Sequence, residues 1–332
     1  MKAIHVNWTA PFFERHRLRG HGFKITRNLE GQTYDLTDYQ ILYTLVSALR
    51  WKMHNGPIKL YTDSIGLSFY KQLGMDGMYD EINIDVLNNV SDVDPAYFWT
   101  SGKIQAIGHE TEPFVFIDQD FIVREKFDES RYNTDLMIGH WEIPRGQYYF
   151  TETDWSRDIK HIAFPENYNV YAYAPNTSFV YFGNMQALQD YVEWHKKMIK
   201  TDGSEVPEWF WLATDQGIFG HVIREGNYET DTLTDKVFLA DNEYGTKETQ
   251  KYGHSEMWYY PMECDKSKDD FDYVNRSPWE HVWLAKILCG IDPDFMARET
   301  QRYFDEAWFH GGKPFLTHPR FTKYWNKEKH GM

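Results

Sequence analysis

The stretch Pro113-Phe114-Val115-Phe116-Ile117-Asp118-Gln119-Asp120-Phe121-Ile122-Val123 decides the reading of this chain. Its length and its Val, Ile and Phe content predict a fully buried strand of a parallel sheet, opened by Glu112-Pro113. Such a strand has no ordinary place for charge, yet it holds two carboxylates two positions apart. Because side chains alternate along a strand, Asp118 and Asp120 are expected to point the same way, as two hard oxygen ligands at the carboxyl end of the sheet. The plain alternative is that the pair opens a solvated loop. Apolar residues on both sides weigh against it, since carboxylates at the edge of a core are costly unless a cation or donors satisfy them.

Working outward, residues 3–7 predict a first strand that runs into a Pro-containing loop at 8–13. Residues 14–33 are basic and read as a solvated loop. From Asp38 the apolar positions Tyr39, Leu42, Tyr43, Val46 and Leu49 recur at three and four, with Thr37 as N-cap and Gly56-Pro57 as the stop: a helix packed on a sheet. A strand at 58–61 ending in Thr62-Asp63-Ser64, a helix ending near Gly74 and a strand at 81–86 give the right-handed crossover of a parallel sheet. Residues 96–108 predict a helix that carries Lys103 toward the aspartates, where its ammonium either snorkels to solvent or meets a phosphate.

Beyond the aspartates come a strand from Leu136 to Trp141 that ends in Glu142, then an aromatic and charged loop at 145–158. A strand at 176–184 begins at Asn176 and is followed by a helix at 186–199. Asp215-Gln216-Gly217 in an apolar surround reads as an acid/base and hydroxyl-binding pair, or as a helix cap. Residues 224–272 are polar and acidic, as in a loop-rich lid. Ser277-Pro278-Trp279-Glu280 has the capping-box order and predicts a helix over 279–288, and Asp292-Pro293 opens a last helix through Phe309. The expected organisation is a core at 1–223, an acidic insertion at 224–276 and carboxyl-terminal helices at 277–332.

Composition narrows the function classes. In 332 residues, 42% are hydrophobic and 17% aromatic, a well-filled globular composition. Fifty acidic against 35 basic residues give a formal charge of −15. That charge argues against nucleic acid or an anionic membrane as the main partner, so any phosphate must be bound locally. Two cysteines, Cys264 and Cys289, without metal or disulfide spacing, point to a reducing cytoplasm. The amino terminus lacks a signal-peptide core and no apolar run has the length of a membrane span. Phosphate-loop, dinucleotide and nucleophile-elbow motifs are missing.

The order of parts resembles the glycosyltransferases of the GT-A fold, and more loosely the bacterial and phage sugar transferases of capsule and surface-polysaccharide systems. The resemblance covers most of residues 1–290. It rests on the first strand and loop, Leu60-Tyr61-Thr62-Asp63, Ser101-Gly102-Lys103, Phe116-Ile117-Asp118-Gln119-Asp120, the 176–184 strand, Thr214-Asp215-Gln216 and His281-Val282-Trp283-Leu284-Ala285-Lys286.

The resemblance implies an α/β fold: a Rossmann-like, mostly parallel sheet flanked by helices, with a helical carboxyl-terminal extension. It implies Mn²⁺ or Mg²⁺ on Asp118 and Asp120, with His281 as third ligand and His310, before Gly311-Gly312-Lys313, as its rival. Thr9, Asp63, Lys103, Asp118 and Lys286 would hold the nucleotide sugar, a UDP-sugar being favoured. Trp141, Glu142, Asn176 and Gln216 would meet a glycan or other hydroxyl acceptor, and Asp215 would take its proton if the enzyme inverts, whereas a retaining enzyme needs no such base. Peripheral association with a polysaccharide assembly system fits the same likeness. The competing expectation is a catalytically silent GT-A-like protein that binds a sugar nucleotide or a partner. A two-metal phosphohydrolase ranks below both, because clustered His and Asp residues are not found beyond the single Asp-x-Asp.

Overall fold

Short apolar runs in which both alternate sets of side chains are buried make a sheet with two covered faces. In the computed structural model, which describes residues 1–14, 33–143, 164–169, 172–200, 213–233, 237–239, 279–282 and 293–331, the strands are β1 (Ala3–Asn7), β2 (Ile58–Thr62), β3 (Glu81–Asn83), β4 (Phe114–Ile117), β5 (Phe121–Val123), β6 (Leu136–Ile138), β7 (Trp141–Ile143), β8 (Ala174–Pro175), β9 (Phe179–Phe182), β10 (Thr230–Thr232), β11 (Val237–Leu239) and β12 (Trp279–His281), and β1, β2, β4, β6 and β9 are such runs. Seven of the strands form the central sheet, in the order β10-β6-β9-β4-β1-β2-β3. β1 is parallel to β2 and β4, β2 to β3, and β10 to β6, while β9 runs antiparallel to both β4 and β6. The expected class, a mostly parallel sheet flanked by helices, is the observed one.

The alternation is visible residue by residue. Ala3, Leu60, Val115, Ile117, Met137 and Phe179 enter one core; Ile4, Tyr61, Phe114, Phe116, Leu136 and Val180 enter the other. The described α-helices are α1 (Ala10–Glu14), α2 (Asp38–His54), α3 (Ser64–Gln72), α4 (Asp85–Asn88), α5 (Ser101–Ile107), α6 (Met185–Met198), α7 (Ile218–Gly226), α8 (Pro293–Ala307), α9 (Lys313–Leu316) and α10 (Lys327–His330). α2 and α8 supply the first core and α5, α6 and α7 the second. α2 starts at a reciprocal cap: Gln40 N–H donates to Thr37 Oγ1 at 3.2 Å and Thr37 N–H to Gln40 Oε1 at 3.0 Å. It stops before Gly56, whose φ of 130° lies in the region that favours glycine.

Several local expectations change. The 113–123 run is a strand, a turn and a second strand, because Phe121 N–H bonds back to Asp118 O at 2.9 Å. The 8–13 loop contains the one-turn helix α1. The helix expected over 96–108 is the shorter α5, the 136–141 strand splits into β6 and β7, and the 176–184 strand is reduced to β9, with β8 before it. The capping box at 277–280 does not open a helix: Trp279, Glu280 and His281 form β12, antiparallel to β5. A tertiary ladder there overrides the local signal. Of the stretch expected as an acidic insertion, the end of α7, β10 at the sheet edge, and β11 lie among the described residues. The basic segment at 15–32, both cysteines and Lys286 lie outside them.

Candidate metal and donor site

β1, β2 and β4 end side by side at Asn7, Thr62 and Ile117, and the sheet is built outward from β1 in both directions, toward β2 and toward β4. That is a topological switch point, where open α/β sheets place their ligands. Asp118 and Asp120 stand there in the turn after β4, with Asp118 N–H donating to Ser178 O at 2.8 Å. β5 continues from the turn, and β12 lies beside it in a register that sets His281 opposite Phe121. His281 Nε2 comes to 3.6 Å from Asp120 Oδ2. Ligand atoms of Asp118, Asp120 and His281 all lie within 4.8 Å of one another.

This donor set, two carboxylates and one imidazole, suits a divalent cation such as Mn²⁺ or Mg²⁺. Burial, with the charges of Asp120 and Asp215, pushes the Asp118 carboxyl up to about 6 against the opposing pull of Lys103 and His281. A cation would remove that penalty. Among the described residues His281 is the histidine that joins the aspartates, whereas the rival His310 lies against Arg50, with Nδ1 3.1 Å from Arg50 Nη1.

Lys103 and Asp215, expected to have separate tasks, form one ion pair: Nζ to Oδ2 is 2.6 Å. Tyr191 OH donates to Asp215 Oδ1 at 2.7 Å and Thr177 Oγ1 donates to the same oxygen at 3.1 Å, while Lys103 Nζ also donates to Thr177 Oγ1 at 2.9 Å. Burial opposes the ammonium of Lys103, but the carboxylates of Asp215, Asp118 and Asp120 outweigh it and raise its pKa above the usual lysine value. Lys103 is therefore a cation held between the acid and the Asp pair. Gln216 is buried next to Asp215 in the Ala213–Gly217 turn.

Behind the pair lies His195. Thr214 O accepts from Nδ1–H at 2.7 Å, which leaves Nε2 to accept from Ser101 Oγ at 2.9 Å. Burial drives its pKa down to about 4. The neutral ring thus ties the helix bearing Lys103 to the turn bearing Asp215. Gly102 lets that helix approach β1, since a Cβ there would stand 2.7 Å from the Trp8 ring.

Asp63 caps α3 and organises the loop after β1. Its Oδ2 accepts from Thr9 N–H and Thr9 Oγ1, both at 2.8 Å, and its Oδ1 from Gly66 N–H at 2.8 Å. Asn7 Oδ1 accepts from Tyr34 OH at 2.8 Å, and Asn7 Nδ2 is buried with no partner among the described residues. A ligand acceptor at the end of β1 would satisfy it.

On the other side of the aspartates, Glu142 Oε1 accepts from Asn176 Nδ2 at 2.7 Å and lies 3.2 Å from His140 Nε2. Asn176 Oδ1 accepts in turn from Ser178 N–H at 3.1 Å and from Ser178 Oγ. Trp141 stands opposite Pro175 at the start of β7, half-buried. The expected residues Asp118, Asp120, His281, Lys103 and Asp215 are thus brought together, and Glu142 and Asn176 bond to each other. Thr177, Tyr191, His195 and His140 were not singled out. For Tyr191 and His195 the signal was present: two hydrogen-bonding side chains four apart on the apolar face of α6, where only packing was expected.

No curated protein matches the chain. Solved structures similar to it include a nucleoside-diphosphate-sugar pyrophosphorylase from Vibrio cholerae RC9, at 9% identity and a TM-score of 0.35 over 72% of this chain and 93% of that one. Mouse xyloside xylosyltransferase 1 matches at 10% identity and 0.35, over 70% and 85%. The glycosyltransferase GlyE of Streptococcus pneumoniae TIGR4 matches at 14% identity and 0.35, over 76% and 48%. A profile described as a family of unknown function, DUF6734, matches residues 1–274, and the chain belongs to that family.

Proposed function

We propose that this chain is a metal-dependent glycosyltransferase that moves a sugar from a nucleoside-diphosphate donor to a hydroxyl acceptor. The observation that carries the reading is the cluster of Asp118, Asp120 and His281 at the sheet's switch point, with the Lys103–Asp215 pair beside it. When bound, Mn²⁺ or Mg²⁺ supplies the charge that stabilises the departing nucleoside diphosphate. Asp118, Asp120 and His281 would hold it.

The chain's own residues take the remaining tasks. Thr9, fixed by Asp63, and Asn7 line the nucleoside end, and Lys103 offers its ammonium to the phosphates. The bond from the anomeric carbon to the phosphate oxygen breaks as the acceptor oxygen bonds to that carbon. The acceptor proton passes to Asp215 once Lys103 has turned to the phosphates. Glu142, Asn176, Gln216 and Trp141 face the acceptor, for which a glycan is the preferred class, with UDP the preferred nucleotide and a polysaccharide assembly system the preferred setting. Lys286, outside the described residues, keeps its expected phosphate role.

A second reading, a catalytically silent sugar-nucleotide binder, draws on the three side chains that already occupy Asp215. Donor hydrolysis separates the two. With Mn²⁺ and a panel of nucleotide sugars, slow release of free sugar from one donor is the transferase result. Tight binding of a donor that stays intact, with or without an alcohol acceptor, is the binder result.

A further inference from the structure

We propose that Glu280 is a positioning residue that fixes the register of β12 and so presents His281 to the metal. The proposal rests on the reading of His281 as the third ligand. Among the described residues β12 has three residues and one paired neighbour, β5, and the pairing is followed by Val282 N–H donating to Asp120 O at 2.9 Å. So short a ladder specifies its register weakly, and a slip by one residue exchanges the two faces of the strand.

What separates those faces here is charge. His281 faces Asp120, and Trp279, two residues earlier, stacks on Phe121 with ring centroids 5.3 Å apart. Glu280, between them, points the opposite way into a fully buried cluster. Arg124 Nη2 donates to its Oε2 at 2.7 Å, Arg302 Nη2 to its Oε1 at 3.0 Å, and Tyr303 OH to Oε1 at 2.9 Å. The side chains of Glu280 and Arg124 are 0% and 1% exposed, so neither charge has water to fall back on.

A one-residue slip would set Glu280 against Asp118 and Asp120 and press His281 into the guanidinium groups. Both moves are penalised in a low-dielectric interior, the first by like charge and the second because Arg124 and Arg302 each lose one of two buried carboxylate partners, keeping Glu306 and Glu299 respectively. Arg124 follows β5 directly, while Arg302 and Tyr303 belong to α8. α8 therefore reaches the candidate metal site through Glu280, without contributing a ligand to it.

The test uses the full chain and Mn²⁺ alone. Calorimetry gives the Kd, and pulsed electron paramagnetic resonance shows whether an imidazole nitrogen is coupled to the bound ion. Glu280→Gln keeps the shape and removes the charge. It is expected to weaken Mn²⁺ binding about 10–100-fold, the range for groups that orient a ligand, and to lose the nitrogen coupling as His281→Ala does. A general loosening would lower the melting midpoint and leave the coupling in place. Tyr303→Phe, which leaves both arginines, is expected to weaken Mn²⁺ binding by a smaller factor, and it serves if Glu280→Gln does not fold.

Wild-type affinity with intact nitrogen coupling in Glu280→Gln overturns the proposal, and so does wild-type affinity in Tyr303→Phe if that variant alone can be measured. Asp120→Ala is the separate control on the site. If it binds Mn²⁺ like the wild type, the metal reading itself fails, whereas a loss there beside an unaltered Glu280→Gln removes only the role of Glu280.

Discussion

Asp120 and Asp215 are both buried acids, and their surroundings answer the cost of burial differently. Asp215 has a cation and two hydroxyl donors in place. Asp120 has Asp118 for a neighbour and His281 at 3.6 Å. Removing the first should disturb that network, and removing the second should relieve its repulsion with Asp118. Asp120→Ala is therefore expected to fold with an unaltered or raised melting midpoint and to lose Mn²⁺-dependent nucleotide binding, beyond the roughly 10–100-fold effect of an outer-shell change, as titration calorimetry would show. Asp215→Asn keeps a partner for Tyr191 and Thr177 but takes away the proton acceptor. Turnover is expected to fall about 10²–10⁴-fold, with donor affinity much less affected. Equal losses in both would mark Asp215 as structural.

The acids were legible at this scale because a charge inside an apolar run is conspicuous. Tyr191 and His195 were not, because a tyrosine or histidine on the apolar face of a helix looks the same whether it bonds to a distant acid or only packs.

Among the elements, α5 and β12 place Lys103 and His281, the side chains proposed to meet the donor and the metal. α5 is brought against β1 by the absence of a side chain at Gly102. Gly102→Ala forces its new methyl into Trp8, for which overpacking costs of about 1–3 kcal/mol are usual. The helix must then shift and take Lys103 with it. Denaturant unfolding is expected to show the destabilisation, and nucleoside-diphosphate binding to weaken in the same variant. Wild-type behaviour in both would mean that the approach of α5 to β1 is not limiting.

β12 shows where local reading ends. Ser277-Pro278-Trp279-Glu280 carries the letters of a helix start, but the partners of Glu280 are Arg124, 156 positions earlier, and Arg302. A contact at that separation leaves no trace in a window of ten residues. By contrast α2, with its cap, its three-and-four periodicity and its glycine stop, was legible because each of its signals lies within the element.

For the whole molecule, the continuous apolar runs and the strand–helix–strand spacing over 58–86 pointed to a covered parallel sheet, and the resemblance to the GT-A fold supplied the mostly parallel arrangement. The position of β9, antiparallel between β4 and β6, was not announced. Strand order depends on which hydrophobic faces meet after the helices have packed, and no segment records that by itself.

Burial also sets the response to acid. His5, hydrogen-bonded to Tyr79 and Ser47, is pushed down to about 3 by burial, and His195 to about 4. Both are neutral in the folded chain and take up protons on unfolding below about pH 6.5. Their contribution is complete above that pH and is lost as pH falls toward 4 and 3, by about 1.4 kcal/mol per pH unit for each. Asp118, raised to about 6, works in the opposite sense below that value and offsets one of them. Glu280, which burial would raise but Arg302 and Arg124 hold down to about 2, adds a further loss below about pH 4.5. Denaturant midpoints measured from pH 7 to 4 are expected to fall, and the fall should be shallower in His195→Gln. A flat profile would contradict the neutral buried histidines.

The most direct measurement is thermal unfolding of the purified chain with UDP, GDP, CDP and ADP, each with and without Mn²⁺. A ligand that binds only the folded state at 100 times its Kd adds about 2.7 kcal/mol of stability, enough to raise the midpoint. The expected result is a rise with one nucleotide, UDP foremost, that requires Mn²⁺ and disappears in Asp120→Ala. A midpoint that no nucleotide moves, or that moves equally without the metal and in Asp120→Ala, would contradict a donor site built on Asp118, Asp120 and His281.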